Sequence, residues 1–415
     1  MIDRVSRGYA MSLRALLVWS TLVALFSEAA RYKAGIDIKA FYFVMLFNTL
    51  VLVSMGQFVV NRPLVIFYIY LAFSGLVSIA AGTNTLRAFS EQFLGISFTS
   101  LYFYNFFRFE HFDFRRLFIY YTRLAYYVCW IGILMVPFQH AFSLTKYFRA
   151  QSVLTEPAQF MMIVMPAIYY FLEASVFQGK HRFESMIGLF AIFLADSAVG
   201  YMGLMLILIY LVAKSRHKLL LVTVPLIVVL GVGGLRLISP NFRFRFDDTA
   251  KAVTGLTVAN VNTSTYATIS NAFVAAQVLR ESPILGNGLG SHERSHEKYL
   301  PDIPGISGFS AENQLLNKEE AASLFIRIAS DLGFLGLCLT AMFLWRFRLS
   351  TPDSSGTINT AILIYLILKL IRAGHYFPPE FFFFVFAYIF SRLHEYAQQR
   401  GVTSAARLRP LYPTL

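Results

Sequence analysis

Charge is scarce in this chain. Asp, Glu, Lys and Arg make up only 14% of its 415 residues, where a soluble domain carries about a quarter. That deficit, with 57% hydrophobic residues and a mean hydropathy of +0.57, excludes an ordinary water-soluble enzyme and implies a polytopic membrane protein. Cysteine is almost missing. Cys129 and Cys338 both fall inside apolar runs, so neither a disulfide framework nor a cysteine zinc cluster can be built. Repeated halves, the usual mark of a transporter, are absent too. The first apolar run follows Arg4, Arg7 and Arg14 but lacks a small-x-small exit before Arg31. It reads as a retained helix and not as a cleaved signal.

What is abundant is aromatic and apolar sequence, with 42 Phe and 23 Tyr. About twelve runs approach spanning length, near 12–30, 40–60, 63–82, 88–107, 117–138, 157–176, 184–196, 198–213, 218–237, 321–345, 358–372 and 376–391. The expected fold is an all-α polytopic membrane protein with about twelve transmembrane helices. Its organisation would be helices one to nine over 1–238, a large loop over 239–320, helices ten to twelve over 321–392, and a tail over 393–415. Basic residues gather in alternate connectors, at Arg62, Arg108, Arg115, Arg116, Lys180, Arg182, Lys214, Arg216, Lys218, Arg346 and Arg348. By the positive-inside rule those connectors and both termini are cytoplasmic and the large loop is outside. This requires 184–213 to be two short passes turning at Asp196-Ser197. The loop agrees: seven basic and nine acidic residues give it a net charge of −2, against +13 for the whole chain. The basic balance is therefore a topology signal, and nucleic acid is not an expected partner.

Several charges fall in or beside apolar runs, where each needs a partner or a wet cavity. Arg327 and Asp331 are four apart on one helix face and read as an ion pair. Lys369 and Arg372 have no local acid and await an anionic ligand or Glu380. Arg149, Glu156, Asp196, Arg327, Asp331, Lys369, Arg372 and Glu380 all lie toward the outer ends of their runs, which points to a polar cavity on the side of the large loop.

Within the loop, His292-Glu293-Arg294-Ser295-His296 matches the zinc-protease pattern H-E-x-x-H. A third ligand is required, and the Gly-rich and Pro-rich flanks are a poor setting for the helix it needs, so no metal site is expected. Gly286, Gly288 and Gly290 are either turn punctuation or a cradle of backbone N–H groups for phosphate at a helix start.

Pro283-Ile284-Leu285-Gly286-Asn287-Gly288-Leu289-Gly290, followed by His296-Glu297-Lys298-Tyr299-Leu300, resembles the outer loop of the bacterial O-antigen polymerase and O-antigen ligase superfamily, with Glu297 where the family has Asn. The span Ala321–Leu337, with Asp331-Leu332-Gly333-Phe334-Leu335-Gly336, is similar to the family's acidic-hydrophobic-Gly-hydrophobic-hydrophobic-Gly helix. Arg149 to Glu156-Pro157 resembles its Arg-x(n)-Glu-Pro element. Ala195–Gly200 is a looser match, with Asp196 outside the pattern. These anchors cover roughly 145–345 in the family's order.

The resemblance implies a GT-C-like fold in the bacterial inner membrane. It implies metal-independent and cofactor-free glycosyl transfer between undecaprenyl-diphosphate-linked oligosaccharides on the periplasmic face. The product would be O-antigen or a related surface polysaccharide or exopolysaccharide. His296 or Glu156 would serve as base and Arg149 as the catalytic cation. Arg294, Arg327, Lys369 and Arg372, with Gly288, Gly290 and Asp331, would hold diphosphate or sugar. Membrane lipid and a chain-length regulator are the implied further partners. An O-antigen ligase, transferring glycan to lipid A core, differs only in its acceptor, and a flippase for the same lipid-linked sugars is the alternative of another class.

Overall fold

The computed structural model describes residues 2–399, apart from 29, 34–36, 111–113, 143–148, 216–219, 239, 256–257, 260, 350 and 352. Each of the twelve apolar runs carries a helix: α1 (Ile2–Leu25), α2 (Ala40–Ser54), α3 (Arg62–Ala80), α4 (Leu86–Glu110), α5 (Phe114–Phe142), α6 (Pro157–Gln178), α7 (Arg182–Ala195), α8 (Ala198–Lys214) and α9 (Leu220–Ile238), then, beyond the loop, helices at Leu324–Phe347, Ser354–Arg372 and Phe381–Gln399. Between them lie α10 (Pro240–Gly255), α11 (Thr263–Glu281), α12 (His292–Tyr299) and α13 (Ala311–Gln314), so the last three are α14, α15 and α16. One departure from all-helix is a ribbon of two three-residue strands, β1 (Arg31–Lys33) and β2 (Asp37–Lys39), paired antiparallel between α1 and α2. Helix α16 runs on to Gln399; the rest of the expected tail, from 400 onward, lies outside the described residues, as do Arg216 and Lys218.

Among the described residues, five helices are long and apolar enough to cross a membrane: α3, α5 over Phe114–Phe138, α6, α14 and α15. Others are shorter. The 14 residues of α7 rise about 21 Å at ~1.5 Å each, less than the ~30 Å hydrocarbon core. The chain does break at Asp196, which turns at φ 40° between α7 and α8.

Helices α6 and α15 form the centre of the bundle. Both are buried on every side, as an all-round apolar helix should be; Phe160–Tyr169 and Ile358–Leu368 are almost wholly enclosed. They pack on each other and are surrounded by α5, α7, α8, α14 and α16. Aromatic rings fill the gaps, with Phe383 edge-on to Phe103 at 5.9 Å and Tyr365 against Phe384 at 4.2 Å. Offset and edge contacts of this kind favour one register over a sliding apolar interface. Polar clamps fix the rest: Asn48 donates to Tyr102 at 3.0 Å across α2 and α4, and Thr357 donates to Glu173 at 2.7 Å across α15 and α6, where Lys214 also pairs with Glu173. The outward side chains of α3 (Ile66, Ile69, Phe73) are apolar and exposed, a surface suited to lipid.

Helix α14 is broken. Gly333 stands at φ 61°, ψ −159°, a conformation open only to glycine. An interrupted membrane helix must find other acceptors for its freed amides. Here the loop supplies them: Phe334 N–H donates to Pro283 O at 2.8 Å and Leu335 N–H to Ile284 O at 3.1 Å. In return Asn287 N–H donates to Ser330 O at 2.9 Å. The Pro-Ile-Leu-Gly-Asn-Gly turn and the Asp-Leu-Gly helix are thus one knot.

Candidate active site

Asp331 sits at the middle of that knot and is fully buried. Its carboxylate accepts Gly290 N–H and His292 N–H, both at 3.1 Å, and the Ser291 hydroxyl at 3.3 Å. Tyr376 donates to it from another connector at 3.1 Å, and Arg327 Nε lies 3.6 Å away. The N-terminus of α12 therefore already holds an anion, the chain's own. Gly288 and Gly290, expected as a phosphate cradle, pack instead against α3 and α4: a Cβ on Gly288 would stand 2.1 Å from Ser78 Oγ, and one on Gly290 would stand 2.8 Å from Ala88 O. Arg327, 3% exposed, also donates to Gly374 O at 3.1 Å and lies 4.4 Å over the Tyr376 ring.

His292 and His296 face inward from α12, and both are 0% exposed. His292 Nε2 donates to Asn271 Oδ1 at 2.8 Å, because Asn271 spends its amide on Ala267 O. Its Nδ1 and both nitrogens of His296 are buried without a hydrogen-bond partner among the described residues. Burial, with Lys318 adding to it, pushes the His296 imidazole down to about 4. His292 is held well below the usual range by burial and then by Arg327. Among the described residues no third metal donor joins them. Lys318 itself bridges Glu293 and Glu297, each at 2.8 Å.

A different set of residues converges on a polar cavity of about 1110 Å³. Its walls come from the α1–α2 connector (Glu28, Lys39), α4, the start of α6 (Thr155, Glu156, Gln159), the end of the loop (Leu315–Ala322), the last turn of α15 (Lys369, Arg372) and the α15–α16 connector (Gly374, His375, Phe377, Glu380). Of the site residues expected from the sequence, Glu156, Lys369 and Arg372 line it. His296, Arg149, Arg294, Arg327, Asp331, Gly288 and Gly290 do not.

Local structure explains each placement. Glu156 caps α6 with Pro157 in the first turn, where the missing N–H costs nothing. Arg372 reaches sideways to α11, donating to Thr268 Oγ1 at 2.7 Å and to Ser264 Oγ. Lys369 is 2% exposed. Its ammonium makes no hydrogen bond or ion pair among the described residues and lies 5.7 Å over the Phe381 ring. Glu380 is buried with it and accepts the Tyr365 hydroxyl at 3.1 Å. Opposite, Lys39 pairs with Glu28 at 2.9 Å, and Gln159 also reaches Glu28 at 3.5 Å. Arg149 lies elsewhere, donating to Asp196 O at 3.1 Å at the α7–α8 turn. Arg294 is exposed and donates to Asn84 O at 3.4 Å.

Sequence reasoning passed over Glu28, Lys39, Lys318 and His375. The signal was available for two of them: Glu28 ends one apolar run and Lys39 begins the next, on the loop side of the alternating topology.

A helical membrane protein with a charged, partly aromatic cavity on its loop side is the class these features define. Compared with protein-family models and with curated proteins, the chain matches none.

Proposed function

We propose that the chain is a glycosyltransferase of the bacterial inner membrane, with about twelve crossings in a GT-C-like arrangement, cytoplasmic termini and a periplasmic loop. It polymerises undecaprenyl-diphosphate-linked oligosaccharide units into O-antigen or a related surface polysaccharide. The observation that carries this reading is the 1110 Å³ cavity. Transfer of a sugar from a lipid diphosphate needs fixed cations where negative charge grows on the leaving group. Lys369 is a buried cation with no carboxylate bonded to it among the described residues, and Arg372 stands one turn further on. The same walls carry Tyr42, Phe98 and Phe377 for sugar faces and Thr155, Gln159 and Glu156 for sugar hydroxyls. Of the two bases expected for the acceptor hydroxyl, Glu156 is the one that lines this space. Arg149, earlier in the same segment, ties down the α7–α8 turn through Asp196 O.

An apolar cleft of about 440 Å³ draws on residues next in sequence to several of the cavity's. It is lined by Ile96, Leu370, Tyr376 and Phe381, next in sequence to Gly95, Lys369, His375, Phe377 and Glu380 of the cavity. Such a cleft gives the carrier's isoprenoid chain a way in from the bilayer. The test is what accumulates when the gene is deleted. Single repeat units on lipid A core support a polymerase. Uncapped core with long carrier-linked chains makes it a ligase, and normal long-chain polysaccharide overturns the enzyme reading.

A further inference from the structure

The α15–α16 connector places His375 in the cavity, beyond Lys369 and Arg372 by one turn of chain. Its ring is held at one side only. Nδ1 accepts Phe377 N–H at 3.4 Å, and the ring stands edge-on to Phe377 at 4.7 Å. Nε2 has no partner among the described residues, and it is absent from the fully buried polar atoms left unpaired. When one imidazole nitrogen accepts, the neutral ring carries its proton on the other. The free nitrogen is therefore an N–H donor and not a lone pair.

Burial first, and then the charges of Lys39 from β2, Arg327 from α14 and Lys369 from α15, keep the imidazole well below its usual range. The acids on the same walls are Glu28, Glu156, Glu319, Glu320 and Glu380. A neutral donor is what such a position allows, since another cation would be repelled.

We propose that His375 Nε2–H and the Lys369 ammonium together form the anion subsite that receives the leaving diphosphate. This deepens the glycosyltransferase reading and rests on it. In the transfer step the acceptor oxygen bonds to the anomeric carbon as the bond from that carbon to the diphosphate oxygen breaks. The electron pair leaves on the diphosphate, and the hydroxyl proton passes to the acceptor's base. His375 gives up no proton; it donates a hydrogen bond to the departing oxygen, while Lys369 supplies the charge. Removal of a preorganised donor of this kind costs on the order of 10²-fold in rate.

The test uses full-length protein in nanodiscs with inorganic pyrophosphate as the probe. Calorimetry on wild type, His375→Gln, His375→Ala and Lys369→Ala should show binding lost in Lys369→Ala and about tenfold weaker in His375→Ala. Gln keeps a side-chain N–H, so His375→Gln should retain most of the affinity, and it remains informative if the Ala variant misfolds. The ¹⁵N spectrum of histidine-labelled protein, assigned by loss of a signal in His375→Gln, should show a neutral ring protonated at Nε2 at pH 7 that shifts with pyrophosphate. Wild type that fails to bind pyrophosphate overturns the subsite. So does equal binding by His375→Ala, or a His375 ring that is cationic or protonated at Nδ1. None of these results touches the polysaccharide phenotype of the deletion strain, which judges the enzyme reading separately.

Discussion

Asp331 offers the most quantitative test of the knot between loop and broken helix. Its carboxylate serves two backbone amides, two hydroxyls and a nearby guanidinium, all in a fully buried setting. Asp331→Ala leaves Gly290 N–H, His292 N–H and the Tyr376 hydroxyl without that acceptor. Each stranded buried group costs about 1–3 kcal/mol where relaxation or water does not recover it. Arg327, 3% exposed, also loses its counter-charge, and removing one partner of a buried pair costs about 3–5 kcal/mol by itself. These contributions overlap, so the expected destabilisation is about 3–5 kcal/mol. For a chain of this size that lowers Tm by roughly 3–10 °C, extrapolating the fall of Tm sensitivity with length. Cys129 is buried and Cys338 exposed, so a thiol-reactive dye in a Cys338→Ser background reports unfolding directly. Adding Arg327→Leu to Asp331→Asn should recover part of the loss, because the stranded charge disappears with it. An unchanged Tm for Asp331→Ala would refute the claim that this carboxylate anchors the loop.

The remaining expectations follow from the same geometry. His296 is held neutral, with its pKa moved down from 6.5 to about 4; the unfolded chain takes up the proton first on acidification, so this contribution is whole above pH 6.5 and is lost between pH 6.5 and 4. At pH 5 the loss is about 2 kcal/mol by linkage, and His296→Gln should flatten that part of a Tm-against-pH curve. Glu156→Gln should abolish polymer in cells at normal protein levels, and near-normal polymer would remove Glu156 from the reaction. Arg149→Ala loses the bond to Asp196 O at the α7–α8 turn and should cut polymer sharply, with Arg149→Lys impaired because Lys lacks the planar fork; near-normal polymer from Arg149→Ala refutes that positioning role. A reporter active only outside the cytoplasm should be on when fused after Leu300 and off after Arg348, and the reverse pattern would invert the topology.

Much of the helical layout was legible because apolar runs and basic connectors are signals spread over many residues. The break at Asp196-Ser197 could be placed from charge alone, since Lys180 and Lys214 flank the pair on equivalent sides. Single contacts were not legible in this way. The Arg327–Asp331 spacing shows a pair, but nothing local reveals that Asp331 takes two amides from Gly290 and His292, about forty residues earlier. His292 and His296 look like solvated loop residues until α11 and α14 are packed against α12. His375 carries no formal charge and so escapes a search for misplaced charges, although the connector holds it beside Lys369. Helix length was the other weak point: α7 and α8 are separate helices, yet neither is long enough to count as a full span by its own residues.

The break at Gly333 has a consequence for how the molecule is made. The second half of α14 begins with amides whose acceptors are Pro283 O and Ile284 O, and those carbonyls belong to a segment synthesised some fifty residues earlier. An α14 inserted alone would carry bare donors into hydrocarbon, at several kcal/mol each. The turn at 283–290 must therefore be in place before α14 can settle, and α15 and α16 follow only after it. Biogenesis thus acquires a checkpoint: a chain whose 283–290 turn has failed to fold leaves its last helices unseated.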